Sequence, residues 1–149
     1  MVESLVRTLI LLWLLAGLLA CALKPDPHTS VDYPVVTLAE GSAAASLLSE
    51  ARLARREGNL IAAGRYLERA LGLEPTSPLL YRELADLRLE EGLPDQAEGL
   101  ALRALRLSPE NPHWQADLWA MIAVARHRLG LSERAEQAAE QARILRNHP

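Results

Sequence analysis

Phenylalanine is missing from this 149-residue chain, cysteine occurs once, and the formal net charge at pH 7 is only −3. Each shortage excludes a class of answer. A single cysteine allows no internal disulfide and no cysteine-rich metal centre. Mild acidity leaves no concentrated basic surface, on which nucleic-acid affinity rests, so no nucleic-acid partner is expected. The four histidines, His28, His113, His127 and His148, have no His or Cys three or four positions away to make a metal pair. No GxSxG elbow, phosphate-binding glycine loop or HExxH motif occurs, so neither a cofactor nor an enzyme is expected. An apolar half rich in Leu and Ala, without Phe, suits helix-on-helix packing better than a β-sandwich.

Long apolar runs are also lacking. The run Leu9 to Ala20 falls short of the about 20 residues that span a bilayer core, and has the proportions of a secretory signal. It ends at Cys21, and Leu18-Leu19-Ala20-Cys21 resembles the lipobox of bacterial lipoproteins. That resemblance implies cleavage before Cys21, acylation of its thiol, and, with Ala22 rather than Asp next, an outer-membrane lipoprotein facing the periplasm. The alternatives are an ordinary signal or short anchor, and a protein soluble in the periplasm. One acyl chain holds a protein only marginally, so stable attachment takes more than one. Residues 1–20 are thus read as signal peptide and 21–42 as lipidated Cys and linker, broken by Pro25, Pro27 and Pro34. From Lys24 to Ser42 such a tether reaches about 50 Å at about 3 Å per residue.

From residue 43 the chain repeats itself. Gly58, Ala63 and Ala70 return as Gly92, Ala97 and Ala104, then as Gly130, Ala135 and Ala142, after steps of 34 and 38 residues. Between the glycines, apolar residues recur at three-and-four spacing, as in Leu60, Ala63, Leu67, Ala70 and Leu71, which predicts a helix pair per unit. Ser77 and Asn111, each before a proline, are helix N-caps, and Pro94 opens another helix. The four added residues of the third unit equal about one helical turn, so the fifth helix is expected to be longer, beginning near Pro112 and including Trp114.

These columns resemble the tetratricopeptide repeat. Counting units from Ala44, Pro78 and Ala116, its aromatic fourth position holds Leu47, Tyr81 and Trp119, its small eighth position Ala51, Ala85 and Ala123, and its closing proline Pro75 and Pro109. The eleventh position, usually Tyr, holds Ala54, Arg88 and Arg126. The resemblance implies an all-α solenoid of three helix-turn-helix repeats, six helices, over 43–149, with repeats at about 44–77, 78–111 and 112–149.

It also implies a trough lined by the first helix of each pair. Carried over by position, its wall comprises Leu48, Arg52, Arg55 and Arg56, then Arg82, Asp86, Leu89 and Glu90, then Asp117, Val124, His127 and Arg128. Arg52, Arg55 and Arg56 share one helix face and repel unless carboxylates answer them, from Glu57 nearby or from a partner. Trp114 either staples the long helix to its neighbour or protrudes as an aromatic anchor. Family members that clamp acidic chaperone tails use Lys and Asn where Leu48 and Arg52 stand here, so such a clamp is not expected. Ala135, Ala138, Ala139 and Ala142 leave the last helix with an alanine face that is either tolerated or packed on another copy.

The reading is a membrane-anchored periplasmic scaffold for an envelope assembly. By resemblance to small lipoproteins of this architecture, that assembly is a pilus or secretion apparatus or the machinery of peptidoglycan synthesis. Partner-binding residues are Arg52, Arg55, Arg56, Arg82, Leu89, Trp114, His127 and Arg128, facing an acidic or helical segment. The alternative is an accessory protein holding cell-wall glycan or lipid headgroups through the basic first repeat.

Overall fold

Hydrogen-bonding side chains start most of the helices, and glycines end the first of each pair. A computed structural model describes residues 33–148, and among them it contains six helices and no strand. These are α1 (Ala43–Arg56), α2 (Leu60–Leu73), α3 (Pro78–Glu90), α4 (Pro94–Leu107), α5 (Pro112–Arg128) and α6 (Ser132–Arg146). Cys21, the apolar run before it and the signal-peptide reading lie outside the described residues. Among the described residues no helix is long and apolar enough to cross a membrane.

Ser42, Asn59, Ser77 and Asn111 cap α1, α2, α3 and α5, each accepting a hydrogen bond from the backbone N–H three residues on. At the other ends, Gly58, Gly92 and Gly130 sit at φ 76°, 74° and 75°. There each chain turns back on itself. The N–H groups of Asn59, Leu93 and Leu131 reach the carbonyls of Ala54, Arg88 and Arg126 at 2.8–2.9 Å, satisfying acceptors that the helix end would leave open. The glycine column therefore marks three of the four left-handed positions among the described residues, the fourth being Gly41 ahead of α1.

Consecutive helices pack on one another, and the alanine columns permit it. Ala63, Ala97, Ala70 and Ala104 are all 0% exposed. Between them the largest fully buried side chains are Leu67, Leu80, Leu87, Leu118 and Ile122. The extra turn of the third unit is present, since α5 has 17 residues where α3 has 13.

Three expectations change. Leu48, placed on the trough wall by position, is 5% exposed and belongs to the core with Leu67, Leu80 and Leu84. Of the alanine face, Ala135, Ala138 and Ala142 turn inward and are buried, while Ala139 stays exposed beside Glu133, Gln137, Glu140 and Gln141. Lastly, the chain ahead of α1 is laid against the helices. Leu38 is buried in the core, Val36 packs beside it, the Asn111 Nδ2–H donates to the Pro34 carbonyl at 3.1 Å, and Tyr33 meets the His113 ring edge-on. The segment from 33 to 42 thus adds little to the tether's reach.

Candidate protein-interaction surface

Arginine clusters on one helix face need carboxylates, and here they come from the equivalent face of the next unit. The Arg52 guanidinium meets Glu83 at 2.5 Å. Arg55 binds Asp86 at 2.6 Å and Glu90 at 2.5 and 3.0 Å, with Glu83 again at 3.6 Å. Hydrogen bonding to Glu90, opposed by burial and reinforced by Asp86, raises the Arg55 pKa further above its ordinary value. Glu83 is only 7% exposed, and these two arginines are its ion-pair partners. Arg56, beside them, is exposed and has no ion-pair partner among the described residues. Two guanidiniums thus answer three carboxylates, and only with the unpaired Arg56 counted does the expected basic wall come to neutrality.

That network borders the first of three clefts. One of about 360 Å³ is lined by Arg52, Arg55, Arg56, Glu83 and Glu90, between α1 and α3. A second, of about 340 Å³ between α3 and α5, includes Asp86, Leu89, Glu90, Ala120, Met121 and Arg128. A third, of about 440 Å³ between α5 and α6, includes Val124, His127, Arg128, Ala135 and Ala139. Glu90 is common to the first two, and Val124 and Arg128 to the last two, so the clefts form one line across the three units. Leu89, though 8% exposed, forms part of the second cleft's floor. Arg128 donates to the Leu89 carbonyl at 2.5 Å, which ties α5 to α3 beneath the line.

Arg82 and Trp114 line none of these clefts. The Arg82 guanidinium lies 5.2 Å from the Trp114 ring centroid, and the Trp114 indole N–H donates to the Ser108 hydroxyl at 3.1 Å. Trp114 packs against the core that also holds Leu38, which makes it a staple and not a protruding anchor. Its partner Arg82 has a buried Nε–H without a hydrogen-bond acceptor among the described residues, and the ring face is the compensation offered to the cation.

One feature with a clear role is easily passed over in sequence. The eleventh position of the second and third units, Arg88 and Arg126, reaches back to the preceding helix, Arg88 to Glu68 at 2.8 Å and Arg126 to Glu98 at 2.7 Å. The first unit has Ala54 there, and among the described residues no helix precedes it for an arginine to reach. The departure from Tyr thus exchanges a packing residue for an ion pair between units. Among the described residues, no cluster of three His, Cys, Asp or Glu is placed to hold a metal.

Comparison with known proteins agrees with this architecture. The family profile described as Tetratricopeptide repeat matches residues 54–116. The globular C-terminal domain of P. aeruginosa LpoP is similar at 36% sequence identity and a TM-score of 0.65, over 67% of this chain and 94% of that domain. Two structures of lower identity share the fold. The second TPR of Spaghetti (RPAP3), solved bound to the HSP90 peptide SRMEEVD, has 22% identity and a TM-score of 0.61, over 68% of this chain and 91% of that one. The N-terminal domain of stress-induced protein-1 from C. elegans has 16% identity and a TM-score of 0.68, over 76% and 91%. Among curated proteins none matches this sequence.

Proposed function

The chain belongs to the tetratricopeptide repeat family, and from that premise we propose that it is a membrane-anchored scaffold of the bacterial envelope whose trough holds a segment of a partner protein. The observation that carries this reading is the unbroken line of clefts from Arg56 to Arg128. A groove that crosses three units suits an extended or helical segment, which gains affinity from several shallow contacts along its length. The charge pattern selects among ligands. Arg52 and Arg55 already hold carboxylates, so the first repeat is not the concentrated cation site that a lipid phosphate or an anionic glycan needs. The partner segment presents apolar side chains to Leu89, Ala120 and Met121 and an acidic group to Arg56.

The anchor rests on Leu18-Leu19-Ala20-Cys21, and the similar LpoP domain is likewise a globular C-terminal domain of a bacterial protein. Assembly of a pilus or secretion apparatus and peptidoglycan synthesis are the envelope processes proposed, with the outer membrane as the site of attachment. Two exchanges test the trough. Arg56→Glu and Ala120→Glu alter residues lining the first two clefts while leaving the buried core untouched, so each is expected to preserve the fold and together to abolish recovery of the partner from detergent-solubilised envelopes. Undiminished recovery would contradict the proposal. Labelled palmitate entering the wild type but not Cys21→Ala tests the anchor separately.

A further inference from the structure

The second and third units of this array each dock their first helix into a socket made by the unit before. In the α3/α4 socket, Ile122 of α5 joins Ala85 and Ala101 in one buried cluster, Ala125 joins Leu89 and Ala97 in another, and Arg126 pairs with Glu98. Moving 38 residues along the chain turns Ala85, Leu89, Ala97, Glu98 and Ala101 into Ala123, His127, Ala135, Glu136 and Ala139. Those five residues line the cleft of about 440 Å³ between α5 and α6. The last unit therefore repeats the socket, and among the described residues no helix fills it. Its exposure agrees. Ala101 is 0% exposed under α5, whereas Ala139 is exposed, Val124 is 44% exposed, and Glu136 has no cation among the described residues.

We propose that this socket receives a helix of a partner protein, one that carries an aliphatic residue, a small or aliphatic residue three positions on, and an arginine immediately after it. The two docked helices of the chain itself define that pattern, with Ile122, Ala125 and Arg126 in α5 and Leu84, Leu87 and Arg88 in α3. The aliphatic side chain fills the space between Ala123 and Ala139, and the arginine answers Glu136 as Arg126 answers Glu98. A second copy of the chain does not fit. Its α1 would bring Glu50, Leu53 and Ala54 to the three places, a carboxylate where an apolar group must be buried and nothing to pair with Glu136. The inference rests on the scaffold reading and deepens it by giving the third cleft of the line a helical occupant of its own, and its test depends on neither Arg56 nor Ala120.

The probe is a fluorescent, hydrocarbon-stapled peptide of Pro112–Arg128, titrated against the globular region from Tyr33 onward. This region contains the whole described core, and the similar LpoP domain was solved as a separate domain. The staple is placed opposite Ile122 so that helix formation does not limit binding. Saturable binding is expected, weakened at least about tenfold by Ala139→Glu and by Glu136→Arg. An Arg126→Glu peptide is expected to regain binding to the Glu136→Arg domain, a charge exchange that a merely damaged surface would not reproduce. Both domain positions are exposed, and unchanged circular dichroism checks the fold of each variant. No saturable binding, or binding indifferent to these exchanges, would overturn the proposal. So would self-association of the unliganded domain abolished by Ala139→Glu, because it would assign the socket to a second copy. Loss of partner recovery through Arg56 and Ala120 with no peptide binding here would leave the trough reading standing and reject only the socket.

Discussion

Leu67→Ala is expected to lower the unfolding free energy by about 3 kcal/mol, and the thermal midpoint by roughly 10–15 °C, because it opens a cavity that the surrounding helices cannot close. Leu67 is 1% exposed, and Leu48, Leu80, Leu84 and Leu87 lie in the same cluster. The column it occupies provides its own controls. Ala101, its equivalent in the second unit, is 0% exposed beneath α5, so Ala101→Leu overfills the contact and costs about 1–3 kcal/mol. Ala139, the third member, is exposed, so Ala139→Leu changes stability by less than about 0.5 kcal/mol. Urea unfolding of the three variants reads all of these at once. Equal losses at 101 and 139 would mean that the last socket is closed, against the arrangement described above.

The second large effect is electrostatic. Arg52→Glu with Arg55→Glu is expected to cost about 3 kcal/mol, because it strands the carboxylate of Glu83, 7% exposed, among like charges. Arg52 is half exposed, and solvent screening keeps the loss towards the low end of what a fully buried pair would give. Adding Glu83→Gln is expected to restore part of the stability, a coupling that independent surface charges would not show. Arg56→Glu alone stays within about 0.5 kcal/mol, since that side chain is exposed. A triple exchange of these arginines would therefore mix unfolding with loss of a contact, which is why the trough is probed through Arg56 and Ala120. A loss below about 1 kcal/mol in the double variant would show that the network contributes little to holding the two units together.

Much of this was legible in the chain itself because helix pairs write their packing as a period. The glycines at 58, 92 and 130 and the alanines five and twelve residues beyond them marked the turns and the close contacts, and the four-residue excess before Gly130 appeared as the longer α5. What a period cannot show is which side chains close on one another between units. The Arg52 and Arg55 partners lie 31 to 35 residues away, near the repeat length itself, so the answering charges sit on the matching face of the next helix. Laying the units side by side would have exposed that relation; considering α1 alone could not. Leu48 changed role for a related reason, and Trp114 took the packing role of the two open to it. Both share a core cluster with the stretch ahead of α1, which follows no helical rhythm, and Val36 and Leu38 carry no pattern that announces their burial. The eleventh-position arginines were visible as departures from the family, yet their meaning needed the glutamates of the preceding helices beside them.

The central claim, that the trough is where a partner lies, is tested most directly by photocrosslinking in growing cells. A photoreactive residue is placed at Arg56, at Ala120, and at Arg69, which lines a separate cleft of about 340 Å³ on α2, off the cleft line. The account predicts one adduct of the same added mass from positions 56 and 120 and none from position 69. An adduct from position 69, with none from either trough position, would contradict it.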